Sequence, residues 1–224
     1  MIKLETHSHS LGASRCARET AETIANIYKQ AEYGGIVLTN HLCHNYFIEY
    51  EGDTDKAKKE YFLRLYDDFA NQCEKVGLKH FFGAEVTALD KDGYISEYLL
   101  YGLTPKLIMD SPLLFTLTQR ELFEFSKENG LFMCQSHPFR NYIRNGYWEH
   151  LHAVEVFNGH QWHTNNNDLA EKFADTYGLI KLSGTDFHAS TQTPNAGIYI
   201  PEDINTDKEL VEFLFKGNFE LIKG

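Results

Sequence analysis

KQAEYGGIVLTNH, residues Lys29 to His41, holds the end of one structural element, the whole of the next and a polar tip. A charged helical stretch runs into Gly34 and Gly35, and glycine just past a helix suits the left-handed position that closes it. Ile36–Thr39 is apolar and continuous rather than alternating, which predicts a strand buried on both faces. Asn40 and His41 end the run. The same punctuation returns in NQCEKVGLKHFFGAEV (Asn71–Val86), FSKENGLFMCQSHP (Phe125–Pro138) and ADTYGLIKLSGTD (Ala174–Asp186).

Working outward, strands are predicted near Ile2–Thr6, Ile36–Thr39, Phe81–Val86, Tyr98–Gly102, Leu131–Gln135, Val154–Phe157, Leu179–Ser183 and Gly197–Ile200. Helices are predicted over Glu19–Tyr33, Thr54–Val76, Thr118–Asn129 and Asp168–Tyr177, with capping residues in TQRE from Thr118 and in TNNND before Leu169. Alternation of this kind gives a mainly parallel sheet with right-handed crossovers. Without a linker or composition break, residues 1–224 read as a single α/β domain. A closed (β/α) barrel is favoured over an open sheet, and no G-x-G-x-x-G follows the first strand to support a dinucleotide fold.

The 42% hydrophobic and 14% aromatic content supplies an ample core. No run approaches the roughly 18 apolar residues that cross a bilayer, and MIKLETH has no apolar signal region, so a cytoplasmic location and no membrane association are expected. Cys16, Cys43, Cys73 and Cys134 form no C-x-x-C pair and read as reduced, buried thiols. A net charge of −11 opposes an extended nucleic-acid footprint, though not a small anionic substrate held by local cations. Arg15 and Arg18, then Arg140 and Arg144, are the clustered arginines; a solvated face explains them equally well.

Metal-competent side chains recur at the strand ends. His7 and His9 follow the first strand, His41 the second, and Glu85 ends the third. Glu97 lies at the fourth, His137 follows the fifth, Glu155 and Asn158 lie on the sixth, and Asp186 and His188 follow the seventh. In a barrel these ends converge on one face, where catalytic groups sit. Taken singly, each has an ordinary structural reading: a hydrogen-bonded histidine, an Asx turn, a surface carboxylate. Together, imidazoles and carboxylates suit Zn, Mn or Fe, and the ligands outnumber the needs of one ion, which points to two or three.

These motifs, H-x-H, T-N-H, G-x-E, S-H-P and G-T-D-x-H in that order, resemble those of the polymerase and histidinol phosphatase (PHP) superfamily. The resemblance runs from His7 to His188. It implies a distorted (β/α)7 barrel with a multi-metal site at its C-terminal face, and metal-dependent phosphoesterase activity in many members. It further implies a first ion on His7, His9, Glu85 and Asp186, with Glu85 bridging to a second on His137. Glu97 stands where many members carry another histidine. A third ion would take His41 and His188, but its usual aspartate is missing, since SLGAS offers only Ala13 or Ser14 there.

Two such ions would lower the pKa of a bound water toward ~7 and clamp an in-line displacement, so no protein nucleophile is needed. The expected activity is hydrolysis of a small phosphate monoester, with Arg140 and Arg15 binding phosphate and a water on the third ion, Asp186 or His188 protonating the leaving oxygen. Amidohydrolase chemistry on a C–N or C–O bond and a non-catalytic, metal-stabilised accessory domain stay open as alternatives. Phe139, Tyr142, Tyr147, Trp148 and Trp162 either stack on substrate or pack long loops. His160 and His163 shape the pocket, His80, His150 and His152 are structural, and the oligomeric state is open.

Overall fold

Seven strands stand side by side in a nearly closed sheet, in the order β1 (Ile2–Ser8), β2 (Gly35–Leu38), β4 (Lys79–Leu89), β5 (Ile95–Tyr101), β6 (Phe132–Gln135), β7 (Ala153–Asn158) and β8 (Ile180–Gly184). The computed structural model describes residues 1–89 and 95–224. The two-residue β3 (His41–Leu42) adds to β4, while β9 (Ala196–Ile200) pairs antiparallel with β1 and β10 (Leu221–Lys223) with β9. The barrel closes where the chain after β8 returns to β1. His9 N donates to Phe187 O at 2.9 Å, Phe187 N to His7 O at 3.2 Å, and Thr6 Oγ1 to Ser183 O at 2.7 Å.

β5 departs from the parallel pattern, running antiparallel to both β4 and β6. Only residues 90–94 separate it from β4, and a parallel return needs a dozen or more residues.

One residue from each barrel strand, Leu4, Val37, Phe81, Leu99, Cys134, Ala153 and Leu182, joins a single buried cluster. Alternation fills the interior this way, and each large side chain so buried contributes about 1.5–3 kcal/mol. Leu210, Val211 and Leu214 of α7 (Asp207–Leu214) extend the cluster. Outside, α1 (Ala21–Gln30) and α3 (Asp55–Val76) cover β2 through Ile24, Tyr28, Phe69 and Cys73, which cluster with Ile36 and Leu38. The remaining helices are α2 (His44–Phe47), α4 (Pro105–Asp110), α5 (Gln119–Glu128) and α6 (Asn167–Tyr177).

All eight predicted strands and four predicted helices are present within a few residues. Thr118 caps α5 in a full capping box with Glu121, as its sequence predicts. The TNNND expectation fails in detail: Asn166 precedes α6 at φ 51° and makes no side-chain cap, its amide donating instead to Phe139 O. Gly77, Gly130 and Gly178 take the expected left-handed φ. At the end of α1, however, that role falls to Glu32 (φ 61°). Gly34 is needed for close approach, since a Cβ there would lie 2.5 Å from Ile2 Cβ. Cys43, Cys73 and Cys134 are buried thiols, but Cys16 is only partly covered. Among the described residues no helix is long and apolar enough to cross a membrane.

Asp207, at the start of α7, accepts from Phe82 N at 2.7 Å, and burial pushes its pKa up to about 6 from 3.8. A carboxyl raised on folding contributes stability fully below its unfolded pKa and loses it as pH rises through the folded value. Asp207→Asn is therefore expected to flatten the fall in Tm between pH 4 and 6. Thermal melts across that range check it; an unchanged slope rejects the assignment.

Candidate metal centre

Glu85 is the hub of the barrel mouth. It sits mid-way along β4, paired in register with His41 of β3, and is fully buried. Its Oε1 lies 3.1 Å from His137 Nε2 and 3.4 Å from His7 Nε2; its Oε2 lies 3.0 Å from His41 Nδ1 and 3.5 Å from His9 Nε2. Asp186 faces it. Asp186 Oδ1 is 3.4 Å from both His7 Nε2 and His9 Nε2 and 3.3 Å from His188 Nδ1. Glu97 stands at the rim, its Oε2 3.7 Å from His137 Nε2. The structure thus brings together all eight side chains nominated from sequence as ligands.

Local backbone explains the convergence. Two-residue periodicity sends His7 and His9 to the same side of β1, with their rings 5.0 Å apart. His137 (φ 26°) and Asp186 (φ 55°) sit in left-handed backbone immediately beyond β6 and β8. Non-glycine residues are held there only when their surroundings over-determine them. Gly184 provides clearance, because a Cβ would lie 2.5 Å from His7 Cβ and 2.8 Å from Glu155 Oε1. Gly184→Ala is expected to cost about 1–3 kcal/mol by overpacking and to displace His7. Denaturant melts together with metal titration test this; full stability with intact binding would show that the gap is not needed.

Beneath the ligands lies a carboxylate layer of Glu155, which the sequence reading placed at this face without a role, and Glu5, which it gave none. Glu155 Oε1 sits 2.9 Å from His7 Nδ1, which turns Nε2 toward the centre, and Glu155 Oε2 accepts from His137 N and Asn158 Nδ2. Such partners orient ligating histidines. Glu5 accepts from the backbone of Thr6, His7 and Thr185 and from Tyr28 OH; burial outweighs these bonds and pushes its pKa up to about 7.

Among the described residues, seven ligand-type atoms here have no hydrogen-bond partner: His7 Nε2, both nitrogens of His9, His41 Nδ1, Glu85 Oε2, His137 Nδ1 and Asp186 Oδ1. A buried polar atom left so costs about 1–3 kcal/mol. Groups including His7–His9–Glu85, His7–His137–Asp186 and His9–His41–His188 each bring their ligand atoms within 4.8 Å of one another. The donor set fits divalent transition metals. Without such ions, burial opposes charge on His7, but Asp186, Glu155 and Glu85 outweigh it and hold its pKa well above the usual value. Burial likewise opposes ionisation of Glu85, and His7 and His41 overcome it, keeping the carboxylate ionised.

The two arginines expected to bind phosphate fare differently. Arg140 is buried at the site, but its Nη2 is engaged by Asp186 Oδ2 (2.7 Å), Asn165 Oδ1 (2.9 Å) and Asn158 Oδ1 (3.0 Å). Arg15 is not brought there: its exposed side chain pairs with Glu49 beside a neighbouring cavity. Arg18 takes its place at the mouth, 5.7 Å from the Trp162 ring.

A cavity of about 340 Å³ opens over the ligands, lined by Arg18, Arg140, Tyr142, His160, Trp162 and His163 among others. Of the remaining aromatics, Trp148 stacks on Tyr177 and Phe139 packs on Phe173. His152 accepts from Met133 N and His80 contacts Tyr66, both in structural roles.

Cys16, read from sequence as a buried thiol, also lines the cavity, 3.5 Å from His41 Nε2. No carboxylate or histidine adjoins it in the chain, so nothing local signals the placement.

No family model and no curated protein matches the sequence. The fold is similar to a two-domain protein from Bacteroides vulgatus containing a predicted PHP-like metal-dependent phosphoesterase: TM-score 0.70, 18% identity, over 99% of this chain and 64% of that one. This chain therefore spans less than two thirds of that protein. It is similar to PsfC from Pseudomonas syringae, with TM-score 0.66 and 16% identity over 93% of this chain and 86% of that one. It is similar also to an amidohydrolase from Chromobacterium violaceum with bound sulfate and no metal, with TM-score 0.59 and 13% identity over 99% and 98%. What the chain shares with these structures is its fold, the nearly closed α/β barrel.

Proposed function

We propose that this PHP-type barrel is a metal-dependent phosphoesterase acting on a small phosphate monoester, with residues 1–224 forming one catalytic unit. The observation that carries it is the set of orphaned buried ligand atoms around Glu85, roofed by a cavity with arginines at its wall. His7, His9, Glu85 and Asp186 would hold one ion, Glu85, His137 and Glu97 a second; Zn, Mn or Fe suits this donor set. Bound ions supply Lewis acidity and an activated water.

The chain's own groups do the rest. Arg18 and Arg140, both lining the cavity, set cations against the phosphate, in a protein whose net charge is −11. Arg140 also fixes Asp186 by its 2.7 Å bond, and His7 together with Arg140 keeps that carboxylate ionised against burial. The proton for the leaving oxygen would come through solvent at the corner of the cavity where His188 and His160 stand, 5.4 Å apart. Trp162 and Tyr142 flank the entrance and exclude water from the ester.

The likeness to an amidohydrolase favours a second reading, hydrolysis of a C–N or C–O bond with the same ions. One experiment separates them. Protein loaded with Zn, Mn or Fe is offered panels of phosphate monoesters, amides and lactones. Phosphate release that disappears on chelation supports the proposal. Turnover of the amide or lactone panel alone overturns it, and a loaded but inert protein points to a binding module.

A further inference from the structure

We propose that Cys16 is a metal ligand, completing with His41 and His188 a sulfur–nitrogen site for a zinc-class cation beside the carboxylate-bridged ions. The proposal rests on the metal-hydrolase reading and adds to it a ligand that a loop without aspartate does not announce.

Four observations carry it. Cys16 Sγ lies 3.5 Å from His41 Nε2. In a tetrahedral zinc site with Zn–S ~2.3 Å and Zn–N ~2.05 Å, the sulfur–nitrogen edge is about 3.6 Å, so the two atoms already stand at ligand spacing. Second, His41 faces two ways: its Nδ1 is 3.0 Å from Glu85 Oε2, which leaves Nε2 for the thiol side. Third, His188 presents Nδ1 to Asp186 O at 2.9 Å and lines the same cavity as Cys16, setting a second imidazole on that side.

Fourth, fully buried His9 stacks between the two, 4.3 Å from each ring, with neither of its nitrogens hydrogen-bonded. The ligand atoms of His9, His41 and His188 lie within 4.8 Å of one another. Ser14 Oγ at 3.0 Å and Tyr46 OH at 3.8 Å surround the sulfur with hydroxyls able to donate to a thiolate. A soft sulfur donor selects zinc-class ions over Mn or Mg, so this position should be the more selective part of the centre.

The test uses the whole chain with Zn and Co(II). Zinc K-edge spectroscopy should show a sulfur scatterer at about 2.3 Å, and the Co(II) form a near-ultraviolet sulfur-to-cobalt charge-transfer band. Cys16→Ser should lose the band and one equivalent of bound metal. Cys16→Asp should regain the equivalent without the band. Protection of one thiol from a disulfide reagent by Zn is the expected companion result. Metal bound in equal amount by wild type and Cys16→Ser, with no sulfur scatterer, overturns the ligand assignment and leaves the hydrolase reading standing. A protein that binds no metal overturns both.

Discussion

Exchange of Glu85 for glutamine is expected to lower metal-dependent hydrolysis by about 10³-fold or more, with the fold retained. Glu85 approaches four histidines within 3.5 Å and is the residue through which two ions would share a carboxylate. Glutamine keeps its size and the hydrogen bond from Ser136 Oγ, so packing survives. It loses the charge, which His7 and His41 keep on Glu85 against the cost of burial. A metal's stabilisation of transition-state charge is worth several kcal/mol, and each 1.36 kcal/mol is tenfold in rate. The measurement is kcat/KM beside metal content and circular dichroism. Activity within tenfold of wild type, at equal metal content, would remove Glu85 from the catalytic centre.

Stripping the metals should lower Tm by about 8–16 °C. One ion held at ~10³ times its Kd stabilises the folded state by about 4.1 kcal/mol. In a chain of this length each kcal/mol moves Tm by roughly 2–4 °C. The source of that binding energy is visible, since the seven unpartnered atoms trade an unmet desolvation cost for a cation. Calorimetry of chelator-treated and Zn- or Mn-loaded protein checks the value. A shift below about 2 °C would mean that these atoms do not meet ions, and Glu85→Gln should shrink whatever shift is found.

How much of this was legible depends on where each residue's information lies. His7, His9, His137, Asp186 and His188 each sit at or just past the end of a buried strand, and barrel topology alone brings such positions together. Glu97 is different. Because β5 is reversed, its beginning rather than its end reaches the mouth, and no rule about strand ends finds it. Arg15 was misplaced because nearness to His9 in the chain says nothing about which way an exposed side chain turns, and Glu49 captures it. Cys16 acquires meaning only from His41, brought beside it by β3. In the fold, β3, α2, α4 and β10 are too short to show a period. α7 does carry a readable capping box, Thr206 to Glu209, that the strand-and-helix alternation passed over.

The left-handed backbone at His137 and Asp186 has a kinetic consequence. Non-glycine residues in rare backbone are held there by their surroundings, so these two ligand positions are set by the barrel around them. Cations would therefore enter a cage whose shape the fold dictates. Uptake should proceed in a single phase set by access through the mouth, without a slow rearrangement. A rigid cage also rejects by size: an ion whose bond lengths do not match cannot recruit loop movement to improve its fit, and it will exchange out quickly.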